Sequence, residues 1–298
     1  MIACHVHPDG DALGSLLALG HFLGRWGHKV WLTWGSEETK IPPQYAFLPG
    51  TDRISAPGEV PERPAIFVSV DCADRSRLDL LEPVFEHAGT RINLDHHLSN
   101  DGFGDVNLVD PDAPASAGLV HALIRRLGGT PDLEEATCLY TGLVTDTGRF
   151  QYSNASPATL RLAADLRELG IDHTRVAVEV YESASFAYLL VLGTVLSRAR
   201  LDGELVWTWL DQADLDGLSL DETEQFIDVL RSVRESEVAM LAKEQPEGGY
   251  KVSLRSRTRI DVAEIAASFG GGGHARAAGY SAPGPVEELV GALRARLP

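Results

Sequence analysis

Asn93-Leu94-Asp95-His96-His97 is the stretch that decides the fold of this 298-residue chain. The run that leads into it, Thr90-Arg91-Ile92-Asn93-Leu94, reads as a short buried strand. An acid and two imidazoles follow where that strand should end, and in open α/β sheets sites form at the carboxyl ends of strands. Adjacent histidines on an extended backbone point in different directions, so one is expected to meet a metal and the other a substrate. Three further stretches repeat the arrangement. His5-Val6-His7-Pro8-Asp9-Gly10-Asp11 follows the apolar start Met1-Ile2-Ala3-Cys4. Ile66-Phe67-Val68-Ser69-Val70 ends in Asp71, and Thr145-Asp146-Thr147-Gly148-Arg149-Phe150 closes an amphipathic segment.

Imidazole and carboxylate donors suit Mn²⁺, Zn²⁺ or Fe²⁺. Asp9, Asp11, Asp71 and Asp146 would bring a charge of −4 to one place, which two divalent cations cancel. Without cations such a cluster is too repulsive for a folded interior. Each stretch also has a plainer reading. Pro8-Asp9-Gly10-Asp11 has the composition of a surface turn, Asp71 could simply bound a strand, and His97 could be a buried, hydrogen-bonded imidazole. Asp146 stands at a helix C-terminus, where a carboxylate opposes the helix dipole and a nearby cation would repair the mismatch.

Strands are expected over Val30 to Trp34, Ile66 to Asp71 and Arg91 to Leu94, alternating with helices over Asp11 to Arg25, Ser116 to Leu127, Leu133 to Val144 and Pro157 to Leu169. This alternation predicts an α/β protein with a mostly parallel, doubly wound N-terminal sheet. Asp172 to about Leu196 reads as largely helical. A helical linker over 185–201 then separates an N-terminal domain, 1–184, from a smaller C-terminal α/β domain with a mixed sheet, 202–298. In that domain strands are expected at Leu205 to Leu210, Glu237 to Lys243 and Tyr250 to Ser256. Helices are expected at Asp221 to Val233, Asp261 to Phe269 and Pro285 to Leu297. Lys251, Ser253, Arg255 and Arg257 fall on one strand face, a positive stripe that is costly unless an anion or neighbouring acids meet it. Gly270-Gly271-Gly272-Gly273-His274 offers backbone N–H groups to a phosphate, or else is a flexible loop.

Taken in order, His-x-x-x-Asp-x-Asp, Asp71, Asp95-His96-His97 and Asp146 resemble the pattern of the DHH phosphoesterase family, over Met1 to about Phe150. Gly270 to His274 with Ala277-Ala278-Gly279 resembles the signature of the DHH-associated domain that accompanies RecJ-like and oligoribonuclease-type members. Members usually carry a helix before the first strand, whereas Met1 here stands inside that strand. The resemblance implies that His5, Asp9, Asp11, Asp71, His96 and Asp146 hold two Mn²⁺ ions, with Mg²⁺ or Co²⁺ as substitutes. His5 and Asp9 would bind one ion, Asp11 the other, and Asp71 would bridge them. It makes His97 and Asp95 the catalytic pair, with Asp95 orienting a histidine. His7 is expected to face substrate or support a ligand. The C-terminal domain would hold a nucleotide through Arg255, Gly271, Gly272, Gly273, His274 and Arg276. The implied activity is hydrolysis of short oligoribonucleotides to mononucleotides and removal of the 3′-phosphate of 3′-phosphoadenosine 5′-phosphate (pAp). Rival readings are a phosphodiesterase for linear pApA, a RecJ-like single-strand DNA exonuclease, a family II pyrophosphatase and a catalytically dead nucleotide sensor. The pyrophosphatase lacks support because no Ser-Arg-Lys-Lys type run occurs here.

Composition bounds these readings. Hydrophobic content of 44% supports a substantial core, and a net charge of −17 argues against a protein that coats long duplexes, which needs a broad basic face. Partners are expected to be short single-stranded RNA or DNA oligonucleotides and pAp, with no membrane; a homodimer is compatible with the reading. Three widely spaced cysteines predict reduced thiols and a cytoplasmic protein. The apolar start is too short for a signal peptide, and the longest apolar run, Phe186 to Leu196, is too short to cross a bilayer.

Overall fold

The computed structural model describes residues 1–215, 223 and 225–297, and the chain divides into two units, Met1–Ser183 and Ala184–Pro298. In the first unit, strands β1 (Ile2–Cys4), β2 (Leu32–Trp34), β3 (Ile66–Val70), β4 (Thr90–Asp95) and β5 (Val106–Val109) form one parallel sheet in the order β2-β1-β3-β4-β5. The strand order reverses between β1 and β3, so a crevice opens beyond their carboxyl ends, where ligands bind in doubly wound sheets. β1 leads into the loop that carries His5 and Asp9, and β3 leads into Asp71. The expected fold class is the one observed, and β5 is an addition. Its exposed edge sequence, Val-Asn-Leu-Val, lacks a buried apolar run.

Helix α1 (Gly10–Arg25) is buried along most of its length; Ala12, Leu13, Leu16, Leu17, Ala18 and Phe22 are fully enclosed. Each large apolar side chain enclosed in this way contributes about 1.5–3 kcal/mol. Helix α4 (Leu133–Asp146) crosses it at close range. A Cβ on Gly14 would lie 2.4 Å from the Cys138 carbonyl oxygen, and one on Gly142 would lie 2.7 Å from Asp11 Oδ1. Glycine at both positions lets the two backbones approach, and this approach brings Asp11 beside the end of α4. Arg25, at the far end of α1, grips the buried Glu135 carboxylate with Nε and Nη2 at 3.0 and 2.9 Å. Helices α2 (Glu82–Glu86), α3 (Ser116–Arg126), α5 (Pro157–Glu168) and α6 (His173–Tyr181) complete this unit. Ser156 caps α5 through the Thr159 N–H, with Pro157 as the first helical residue.

The second unit begins with α7 (Phe186–Arg198), capped by Ser185. The segment from Asp172, read as largely helical, forms two helices separated at Glu182–Ser185. The part read as a linker packs Tyr188 and Val195 into a core with Val206, Leu210 and Phe226. Six strands follow: β6 (Arg200–Asp202), β7 (Leu205–Leu210), β8 (Val238–Glu244), β9 (Tyr250–Ser256), β10 (Gly272–His274) and β11 (Ala277–Ala282). They form a mixed sheet in the order β10-β11-β9-β8-β7-β6, parallel only between β7 and β8. Helix α8 (Phe226–Arg231) lies within the expected Asp221 to Val233 helix; Asp221, Glu222 and Glu224 lie outside the described residues. α7 and α8 cover one face of β7 and β8. Helices α9 (Val262–Ala267) and α10 (Val286–Arg294) bury Met240, Val252, Leu254 and Tyr280 on the other face. Among the described residues, no single helix is long and apolar enough to cross a membrane, and the three cysteines are free and buried.

Candidate active site

The loop after β1, the end of β3, the end of β4 and the end of α4 converge at the crevice of the first sheet. His5 Nε2 lies 3.5 Å from Asp71 Oδ2 and 3.9 Å from Asp9 Oδ1. His96 Nε2 lies 3.5 Å from Asp146 Oδ2, 3.7 Å from Asp71 Oδ1 and 3.9 Å from Asp11 Oδ2. Two donor groups of metal-binding spacing result, His5 with Asp9 and Asp71, and Asp11 with His96 and Asp146. The two oxygens of Asp71 face different groups. All six candidate ligands predicted from sequence are brought together here.

Backbone geometry aims these side chains. Asp71 has φ 57°, a left-handed conformation unusual for a residue with a Cβ, and its N–H donates to the Leu94 carbonyl at 2.9 Å. His7 has φ 54°. Strain of this kind, on the order of 1–3 kcal/mol per residue, concentrates at working sites. His7 is exposed. Asp9 is the N-cap of α1, its Oδ1 accepting the Asp11 and Ala12 N–H groups at 3.0 Å.

His96 and His97 do not diverge as an extended strand would require. β4 ends at Asp95, so strand alternation no longer applies, and the two rings meet edge to face with centroids 4.9 Å apart. His97 Nδ1 is 2.7 Å from Asp95 Oδ1 and 3.8 Å from Asp71 Oδ1, and Asp71, His96 and His97 form a third donor group. Asp95 Oδ2 accepts from Asn100 Nδ2 at 2.6 Å, and Asn100 Nδ2 also lies 2.7 Å from Asn93 Oδ1.

The cluster carries more negative charge than its own groups can balance. Burial, then the charges of Asp71 and Asp146, push the Asp11 carboxyl well above its usual range. Burial, then Asp71 and Asp9, do the same to Asp146. Burial opposes ionisation of Asp71 too, but its contact with His5 and the charges of His5, His97 and His96 outweigh that and hold it below the usual range. Burial alone would lower the His97 imidazole; the bond to Asp95 and the charges of Asp71, Asp95 and Asp146 push it up to about 9. A donor set of carboxylates and imidazoles with unmet charge fits divalent cations.

Ser116 and Asn100 are the residues that sequence reasoning missed. Ser116 reads as an ordinary first helical residue, and Asn100 sits in a polar run, Leu98-Ser99-Asn100-Asp101-Gly102, that reads as a turn. One signal existed for Ser116. Ala115 precedes it and has no capping oxygen, so the α3 N–H groups must find acceptors elsewhere.

In the second unit, the predicted substrate residue Arg255 falls on β9 and Gly272, Gly273 and His274 on β10, while Gly271 stands just before β10 and Arg276 just before β11. His274 pairs with Ala277, which pairs with Arg255, so these three stand in one row; Gly272, Gly279 and Ser253 form the next row on the same face, two residues along. Arg255 pairs with Ala239 and Ser253 with Leu241, on the face that α7 and α8 cover over β7 and β8, with α8 also reaching β9 through Asp228. What remains is a sheet surface of glycine, alanine and serine flanked by Arg255 and His274. The glycine run is not the loose loop its composition suggested. A Cβ on Gly271 would lie 2.1 Å from the Gly279 carbonyl oxygen, and one on Gly273 would lie 2.5 Å from that of Ala277. Close strand packing therefore requires glycine there. The positive stripe is partly balanced, since Arg255 Nε lies 3.4 Å from Asp228. Arg257 Nη1 donates to the Val233 and Arg234 carbonyls. Arg276 Nη1 donates to Ile260 and lies within reach of the Ser256 hydroxyl.

Comparison with known proteins agrees with this layout. The DHH family N-terminal domain matches residues 1–143, and the DHHA1 domain matches 212–297. The bifunctional oligoribonuclease and PAP phosphatase NrnA of Thermus thermophilus is 36% identical, over 99% of this chain and 89% of its own. Its namesake from Bacillus subtilis is 25% identical, over 93% and 87%. The crystal structure of an exopolyphosphatase-related protein from Bacteroides fragilis superposes with a TM-score of 0.90 at 28% identity, covering 99% of this chain and 90% of that one. The chain therefore belongs to the DHH family of metal-dependent phosphoesterases, with a DHHA1 domain following its N-terminal one.

Proposed function

We propose that the protein is a manganese-dependent phosphodiesterase that degrades short oligoribonucleotides to mononucleotides and dephosphorylates pAp to AMP. The observation that carries this reading is the position of Asp71, whose two oxygens face two separate imidazole–carboxylate groups. The names borne by the Thermus and Bacillus relatives support the substrate class. His5, Asp9 and Asp71 would hold one cation, and Asp11, His96 and Asp146 with Asp71 the other. Such cations supply Lewis-acid activation of water and charge neutralisation at phosphorus.

The chain's own groups do the rest. His97 Nδ1 is committed to Asp95, so the proton offered to the leaving oxygen is the one on Nε2. Asn100 fixes Asp95, and Asp95 fixes the ring. Arg255 and His274 grip a phosphate, and the glycine and alanine rows between them admit a flat base. Buried, free cysteines suit a reducing cytosol.

An assay with added Mn²⁺ tests the reading on RNA of two to five nucleotides, a 20-mer DNA, pAp, pApA and pyrophosphate. The expected products are mononucleotides from the short RNA and AMP from pAp. Hydrolysis of pyrophosphate alone would overturn the substrate class.

A further inference from the structure

We infer that Ser116 is a positioning residue for one of the two cation sites and not the other; this rests on the two-cation reading above. Ser116 is fully buried at the start of α3. Its hydroxyl donates to Asp71 Oδ1 at 2.9 Å, and its N–H donates to Asp11 Oδ2 at 2.6 Å. Those are the two oxygens that face His96 Nε2. Asp71 Oδ2, which faces His5, receives no bond from Ser116 in this geometry.

The surrounding contacts explain why this residue holds the pair. Ala115 cannot cap α3, and Asp11 takes that place from α1, 105 residues away, with Oδ1 accepting the Ala117 N–H at 2.8 Å. Asp11 is thereby locked against rotation, while Ser15 Oγ approaches Oδ1 at 3.3 Å. At Asp71 the Ser116 hydroxyl plays the corresponding part, and its bond sets which way Oδ1 points. Two carboxylates, one on α1 and one just past β3, are therefore aligned toward His96 by one residue of α3. Groups that orient metal ligands in this way typically change affinity by about 10–100-fold when removed.

Isothermal titration of the metal-free full chain with Mn²⁺, checked by electron paramagnetic resonance for the number of bound ions, tests this directly. Wild type is expected to bind two ions. Ser116→Ala should bind one ion as wild type does and the second about tenfold or more weakly. Ser116→Thr, which keeps the hydroxyl, should retain both constants. Thermal melting of the metal-free variants establishes that each is folded. Equal weakening of both sites in Ser116→Ala, unchanged constants, or equal losses in Ser116→Ala and Ser116→Thr would overturn the role of Ser116. Failure of wild type to bind two ions would instead overturn the two-cation reading.

Discussion

Asp11 and Arg255 are charged groups in different units, and they are held in opposite ways. Asp11 is 1% exposed, and its oxygens accept the N–H groups of Ser116 and Ala117. Asp71, Asp95 and Asp9 are likewise each tied by named donors. Arg255 stands on a sheet face beside alanine and glycine, held by looser contacts to Asp228 at 3.4 Å and to the Leu254 carbonyl at 3.2 Å. In the proposed reading, a group that must place an atom within tenths of an ångström of a cation is over-determined by its neighbours, whereas one that grips a phosphate beside a surface open to any base needs less support. The first kind of site concentrates unfavourable charge and needs rigid support.

The largest effects should therefore come from the first unit. Asp71→Asn removes the shared carboxylate, and kcat/KM on short RNA should fall by about 10³-fold or more, the scale of several kcal/mol of charge stabilisation. Asp95→Asn should lower kcat by about 10²–10³-fold with KM little changed, as expected when the proton donor loses its orienting partner. Equal falls in kcat for Asp95→Asn and for Arg255→Ala would break the contrast between the two regions. Asp146→Asn sharpens it from another side. Burial and Asp71 raise the Asp146 carboxyl, so its charged form is disfavoured in the metal-free fold. Sign follows from linkage: an acid raised in the folded state costs stability as pH climbs through and beyond its unfolded value. Metal-free Asp146→Asn should melt higher than wild type at pH 7, while Mn²⁺-supported turnover collapses.

In the second unit, Arg255→Ala and His274→Ala should each raise KM for a trinucleotide by about tenfold, the cost of losing one charged hydrogen bond, and change kcat by less. A tenfold loss confined to kcat would mean that these residues act on chemistry and not on binding.

Much of this is legible in the sequence. Strand ends carrying acids and imidazoles marked the crevice, because a parallel sheet leaves its carboxyl ends open at the switch between β1 and β3. Tyr250 to Ser256 is a strand with the bounds its alternation predicts. What remained hidden depends on contacts remote in sequence. Ser116 meets Asp11 across 105 residues, and Asn100 meets Asn93 and Asp95 around a turn. Local pattern carries no trace of such partners. β10 and β11 escaped notice because Gly272 and Gly273 lower strand propensity, and only their pairing with Ala278 and Gly279 makes them a strand. His96 and His97 misled for the opposite reason, since alternation was carried one residue past the end of β4.

The smallest expected effect concerns a support within the second unit, where one carboxylate is pinned as tightly as Asp11. Glu237 accepts the N–H groups of Thr258 at 2.9 Å and Ile260 at 3.2 Å, that of Arg259, and the Thr258 hydroxyl at 3.0 Å. Burial opposes its ionisation, but the N–H groups of Arg259, Thr258 and Ile260 outweigh this and hold it at about 2. Because the folded value lies below the unfolded one, the stabilisation is fully present above about pH 4.5 and is lost as pH falls toward 2. Glu237→Gln should cost on the order of 1–2 kcal/mol at pH 7 and flatten the acid limb of the stability curve. Hydrogen exchange at the Thr258 and Ile260 amides of the full chain is the measurement. Unchanged protection there in Glu237→Gln would show that the 257–260 turn is held by Arg276 and the Ile260 carbonyl instead.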